Sequence, residues 1–368
     1  MALTSTGLLV VLGLLALAVF AALVLGRPRL RRRGAQMATR AVSVLVLNVL
    51  VLSLAGAALN DQFGFYVSWS DLAGARSPVT VTHHGASARK AATAALGHGV
   101  DVGGAFSAAT LAAGRIQHLD VVGTHSGVHA PVSVLLPAGY SASSSTRYPV
   151  IEALHGFPGS STSWLTGMRV QQALDGLVAS RTIRPSIVVM PQINIPGNID
   201  GECVNGPRGT PQVETWLAKD VPEYVAGHFR VDTRRSSWAV AGYSEGGWCA
   251  AMVGLRHPDV FGGDIVFSGS FQPEFTRAYR PFGTTTPARY DLIRLARTAP
   301  PPLAMWVQSA KPDGYSYPQT ARFLKAVRAP LSVTTDLLKT GGHREPLWAA
   351  ELPTALTWLA HNVPGFAA

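Results

Sequence analysis

The 368-residue chain is poor in cysteine and in charge, and it has no acidic residue before Asp61. Its two cysteines, Cys203 and Cys249, permit a single bridge at most. The histidines show no ligand spacing, His83-His84 being an isolated adjacent pair, so no metal and no other cofactor is called for. Internal repeats are absent as well. The formal charge of +10 shrinks on inspection: six arginines (Arg27, Arg29, Arg31, Arg32, Arg33 and Arg40) precede the first acid, and without them residues 61–368 carry only +4. So small a charge on so large a body leaves no footprint for nucleic acid.

What is present at the N-terminus is apolar. Gly7 to Gly26 is an unbroken run of twenty residues, about the length a helix needs to cross ~30 Å of hydrocarbon. Ala41 to Leu59 is a second run, interrupted only by Ser43, Asn48 and Ser53, which a helix can satisfy against its own carbonyls or a neighbour. Two transmembrane helices are expected, over 7–26 and 41–59. A cleaved signal peptide is the rival for the first, but a basic n-region is missing and arginines follow where small residues would mark a cleavage site. The arginines of loop 27–40 place that loop in the cytoplasm, so both ends of the hairpin face outward and the rest of the chain is extracytoplasmic.

The expected organisation is a membrane anchor over 1–60, a connector over 61–115 and a catalytic domain over 116–368. The connector is rich in Ala, Gly, Ser and Thr, with one weak strand-like patch at Val79 to Thr82. From Ile116 short apolar runs alternate with helical stretches, which argues a mostly parallel sheet with crossover helices. Strands are expected at Val132–Leu136, Val150–Leu154, Ser186–Met190, Trp238–Ala241, Asp264–Phe267, Leu303–Gln308 and Leu331–Leu337. Helices are expected at Val213–His228, Gly247–Arg256, Tyr317–Val327 and Pro346–Leu359.

The chemistry is concentrated in Gly242-Tyr243-Ser244-Glu245-Gly246, which follows the apolar run Trp238 to Ala241 and leads into an Ala-rich helical stretch. Strand, sharp turn and helix in that order hold a serine hydroxyl clear of its backbone, where a histidine can reach it. Upstream, Leu154-His155-Gly156-Phe157-Pro158-Gly159 closes an apolar strand with a turn rich in Gly and Pro. The amides of Phe157 and Glu245 are assigned to an oxyanion hole, and His155 to bracing the loop. In a sheet of this kind the acid and then the histidine follow the serine, and only His257, His343 and His361 do so. His257 and His361 sit at helix ends and suit surface or capping roles. His343, in Thr340-Gly341-Gly342-His343 after the last expected strand, is the expected general base. Asp313, on the loop after the preceding strand, is the expected acid; a turn or capping aspartate is its alternative reading, and Asp336 and Glu345 are rivals.

In an oxidising compartment Cys203 and Cys249 are expected to pair, pinning loop 194–211 against the helix that starts at the serine. The alternative is two unlinked small apolar residues.

With serine turn, His-Gly-Phe-Pro-Gly loop and Gly-Gly-His turn in order, the stretch 132–359 resembles the esterase D-like branch of the α/β-hydrolases, which includes the mycolyltransferases. The matching pieces are Leu136-Pro137-Ala138-Gly139-Tyr140, Tyr148-Pro149-Val150 leading to His155-Gly156, Trp164, Arg256-His257-Pro258 with Phe261, and Gly342-His343 with Trp348. The resemblance implies an α/β-hydrolase fold and acyl-ester chemistry, either hydrolysis or transfer to a sugar or lipid hydroxyl. The expected function is therefore a membrane-anchored serine esterase or acyltransferase acting on an acyl ester of a cell-envelope lipid or glycolipid. A serine peptidase of the same fold and a non-catalytic module binding envelope carbohydrate are the alternatives.

Overall fold

The computed structural model describes residues 3–25, 33–75, 79–96, 99–102, 106–108, 114–197, 199–277 and 279–368. Arg27, Arg29, Arg31 and Arg32 of the inter-helix loop lie outside the described residues. Two helices open the chain, α1 (Thr6–Leu25) and α2 (Arg33–Phe63), and they pack on each other. Both are long and apolar enough to cross a membrane, with mean hydropathies of 3.2 and 2.4, and almost none of their residues are buried within the protein. Asn48 satisfies its amide inside its own helix, Nδ2 donating to the Val44 carbonyl at 2.9 Å. The second helix overruns the expected 41–59 at both ends. It stops where Gly64 takes a left-handed φ of 64°, a conformation glycine adopts without cost.

Among the described residues, nine strands then form one sheet in the order β1-β9-β8-β7-β6-β4-β5-β3-β2. They are β1 (Val79–Gly85), β2 (Ile116–Val122), β3 (His129–Leu135), β4 (Val150–Leu154), β5 (Ile187–Pro191), β6 (Trp238–Tyr243), β7 (Gly263–Phe267), β8 (Ala304–Ala310) and β9 (Ser332–Leu338). From β5 through β9 the pairing is parallel; β2, β3 and β1 join antiparallel at the two edges. Every residue of β4, β5, β6, β7 and β8 is buried, which is why these segments read as largely apolar, with Glu152, Asp264, Gln308 and Ser309 as buried polar exceptions. One face of the sheet packs Val225, Trp248, Met252, Leu292 and Phe323. The other packs Val170, Leu174, Trp348, Leu352 and Leu359. This is the α/β-hydrolase arrangement.

The structure departs from the sequence expectations in several places, among them the unforeseen helix Leu292–Thr298. Part of the expected connector belongs to the sheet: β1 pairs along the whole of β9, Val79 opposite Leu338 and Gly85 opposite Ser332. Its Val-Thr-Val-Thr-His-His composition and exposed side chains give an edge strand no apolar signature. The helix expected over 213–228 spans those residues but is not uniformly α-helical: Val213–Thr215 and Val221–His228 flank a π-turn at Trp216–Asp220. Pro222 has no N–H to continue the ladder there, and the wider turn accommodates it. Strand β2 and helix Val170–Ala179 were not foreseen; the helix carries apolar residues at 170, 173, 174, 177 and 178, a spacing that would have revealed it.

Candidate active site

The parallel strands deliver the functional residues at their C-terminal ends, where open α/β sheets place their sites. Ser244 follows β6, Asp313 follows β8, His343 follows β9 and the His155–Phe157 loop follows β4. Ser244 sits at φ 57°, ψ −123°, strained for a residue with a side chain, on the tight turn into helix Glu245–Arg256. Its flanking glycines make that turn possible. A Cβ on Gly242 would lie 1.8 Å from the Gly246 carbonyl oxygen, and one on Gly246 would lie 2.3 Å from those of Leu154 and His155.

The three separate side chains meet. His343 Nε2 is 2.8 Å from Ser244 Oγ, and its Nδ1 is 2.9 Å from Asp313 Oδ2. Asp313 is buried and also accepts from Ser316 Oγ at 2.7 Å and from the amides of Tyr315 and Ser316. Burial alone would push its carboxyl up; hydrogen bonds and attraction from His343, with help from Ser316, outweigh that and hold it below the ordinary aspartate range. An ionised Asp313 keeps the proton of His343 on Nδ1, leaving Nε2 to accept from the serine hydroxyl. Tyr315 and Trp348 meet the imidazole edge-on at 4.8 and 4.9 Å between ring centroids. The remaining candidates lie elsewhere. His257 is paired with Glu214, and Asp336, raised to about 7 by burial and the neighbouring Glu351, lies within β9. Glu345 packs against Gly167 and Tyr243.

Of the two amides assigned to the oxyanion hole, that of Glu245 directly follows the serine in the chain and that of Phe157 follows a glycine packed on that serine. Glu245 opens its helix, where amides have no intrahelical acceptor and the helix dipole presents its positive end. Phe157 follows Gly156, whose α-carbon lies against the serine: a Cβ there would approach Ser244 Cβ at 3.1 Å. His155 braces this loop from inside. Its Nδ1–H donates to the Gly156 carbonyl at 2.8 Å, Nε2 accepts from the Ile193 amide at 3.3 Å, and burial lowers its pKa so that it stays neutral.

Cys203 and Cys249 are joined, their Cα atoms 5.6 Å apart, which ties the 194–211 loop to the helix that begins at Glu245. Beside the bridge is a wall that motif reasoning did not reveal. The Glu245 side chain points inward and accepts from Asn194 Nδ2 at 2.7 Å. Burial first, then the negative neighbour Asp200, pushes its carboxyl well above the ordinary range, and Glu202 is pushed up by burial and Asp200 in the same way. A second feature missed is the support of the histidine turn. The His343 amide donates to the Gly64 carbonyl at 2.8 Å, and Arg344 pairs with buried Asp71. Nothing in the sequence marks either contact, since each joins residues about 270 positions apart.

The profile of the Esterase family matches residues 123–361. The chain is 24% identical over 245 residues to an uncharacterised protein of Corynebacterium glutamicum, covering 61% of this chain and 55% of that one. It is 27% identical over 168 residues to an endo-1,4-beta-xylanase/feruloyl esterase of Xylanibacter ruminicola, covering 44% of this chain and 22% of that one. The chain thus spans about half the length of the first relative and about a fifth of the second. Among solved structures, a ferulic acid esterase superposes with a TM-score of 0.58 at 22% identity, covering 67% of this chain and 98% of that one. At that identity the likeness speaks for the fold alone.

Proposed function

The chain belongs to the Esterase family, and from that premise we propose a membrane-anchored, extracytoplasmic serine esterase or acyltransferase of the esterase D-like branch, acting on acyl esters of an envelope lipid or glycolipid. The observation that carries the reading is the single imidazole hydrogen-bonded at once to Ser244 and Asp313. In the proposed reaction His343 Nε2 takes the proton of Ser244 as Oγ bonds to the ester carbonyl carbon. The carbonyl electron pair moves to the oxygen, facing the amides of Phe157 and Glu245. Collapse breaks the bond to the alcohol, which leaves with the proton from His343, and the acyl group stays on Ser244. Water, or a sugar or lipid hydroxyl, then repeats the sequence in reverse. One preorganised donor of this kind is worth roughly 3 to 4 kcal/mol in the transition state.

Two features favour a lipid-borne ester. The stretch 27–40 is rich in arginine and joins, and runs into, helices apolar enough to span a bilayer, a charge pattern that supports an outside position for the hydrolase body. Gly64, hydrogen-bonded to the His343 amide, lies only five residues beyond Leu59, the end of the apolar run, about 7.5 Å along a helix. The imidazole thus works close to the boundary where acyl esters of membrane lipids lie.

The test is turnover of a p-nitrophenyl acyl ester by the full chain with and without a glycerol or sugar acceptor. Ser244→Ala is expected to lower it by about 10³- to 10⁶-fold. Unchanged turnover in that variant would end the proposal, and acyl product on the added acceptor would identify a transferase.

A further inference from the structure

The turn Gly341–Arg344 that presents His343 is bound to the chain segment emerging from α2. Gly342 has no room for a side chain: a Cβ would lie 2.2 Å from the Gly64 carbonyl oxygen and 2.3 Å from that of Phe65. The next residue, His343, donates its amide to Gly64 at 2.8 Å. Arg344 then closes the contact. Its guanidinium donates to the Phe65 carbonyl at 2.7 Å and to Asp71 Oδ2 at 2.8 Å, forks to Asp71 Oδ1, and stands 4.5 Å over the Tyr66 ring.

The segment itself is preorganised to receive it. Asn60 accepts from the Tyr66 amide at 2.7 Å and donates to the Tyr66 carbonyl at 2.9 Å, and Asp71 accepts from the Val67 amide at 3.1 Å. Asp71 is 3% exposed and the Arg344 side chain 13%, so the pair is shielded, and removing either partner leaves a poorly solvated charge.

We propose that Arg344 and Asp71 are positioning residues for the general base: with Gly64 they clamp the His343 turn to the juxtamembrane segment, so that the end of the membrane helix is a working part of the active site. The proposal rests on the serine-esterase reading above. Ser244 and Asp313 are held by the sheet and their own loops, whereas the His343 turn has this external brace. A displacement of about 1 Å in a catalytic group can cost roughly 100-fold in rate.

The experiment uses the full chain in phosphatidylcholine vesicles and a short, water-soluble p-nitrophenyl ester, with Asp71→Asn, Arg344→Met and Arg344→Lys. Glu214→Gln, which breaks another shielded ion pair with Arg256, is the control. Loss of turnover in Ser244→Ala in the same assay establishes the premise separately. Asp71→Asn and Arg344→Met are expected to lower kcat by roughly 10- to 100-fold with KM within about threefold of wild type. Arg344→Lys, which keeps the charge but not the fork, is expected to fall between Arg344→Met and wild type, and Glu214→Gln to stay within about twofold. Wild-type kcat in both Asp71→Asn and Arg344→Lys would overturn the clamp. An equal fall in Glu214→Gln would also overturn it, since the loss would then be one of general stability.

Discussion

The two halves of the site are built differently. Ser244 is held by what lies next to it: β6 before, a twelve-residue helix after, and two glycines whose hydrogens are all the turn can hold. His343 is held mainly by what lies far away in sequence: Asp313 for its tautomer, Tyr315 with the nearby Trp348 for its ring plane, Gly64 and, through Arg344, Asp71 for its backbone. Local confinement makes the nucleophile a matter of sequence motif. Distant support makes the proposed base depend on the whole fold, including the segment that leaves α2.

That comparison can be broken from its local side. Gly242→Ala places a methyl within 1.8 Å of a backbone oxygen that belongs to the same turn. Neither partner can yield without moving β6 or the helix, so the expected result is loss of folded, esterase-active protein. Its cost is at least about 3 kcal/mol, the upper range for overpacking. Full activity with an unshifted thermal midpoint would mean that the elbow is not confined as described.

A smaller effect sharpens it. The nucleophile strand rests on buried carboxyls: Glu152 of β4 lies in register with Val240 of β6, and Asp264 of β7 lies on the other side of Val240. Burial pushes both well above the ordinary range, so both stay protonated in the fold. Because the folded pKa is raised, their stabilising contribution is complete below the unfolded value of about 4.3 for glutamate and declines as pH rises toward the folded value. Glu152→Gln removes one such group. Its stability relative to wild type is expected to increase with pH above about 5, by up to about 1.4 kcal/mol per unit, read from denaturant midpoints across a pH series. A difference independent of pH would show that Glu152 is not held neutral.

The same contrast explains how much was legible beforehand. Seven strands could be placed because most of their residues are buried and the segments are largely apolar; Ser244, Asp313 and His343 could be named because the order of strands restricts which loops meet. Strand β1 showed only as a weak patch over 79–82, since its Val-Thr alternation is short and its side chains are almost all exposed, and β2 with its half-exposed pattern was missed for a similar reason. The clamp on His343 was invisible. Asp71 is one aspartate among Ser, Trp and Leu, and only the folded chain brings it to Arg344. The Asp200, Glu202 and Glu245 wall was hidden likewise, because Glu245 entered the motif as a backbone donor and its side chain serves a different neighbour.

The central claim is that a serine hydroxyl gains its reactivity from an imidazole delivered across 99 residues of sequence. The direct measurement is the rate at which a fluorophosphonate labels the full-length protein, with the labelled residue identified by peptide mass spectrometry, in wild type and in His343→Gln. The account predicts labelling at Ser244 that slows by roughly 10³-fold or more in the variant; equal labelling rates in the two proteins, or a label on another residue, would contradict it.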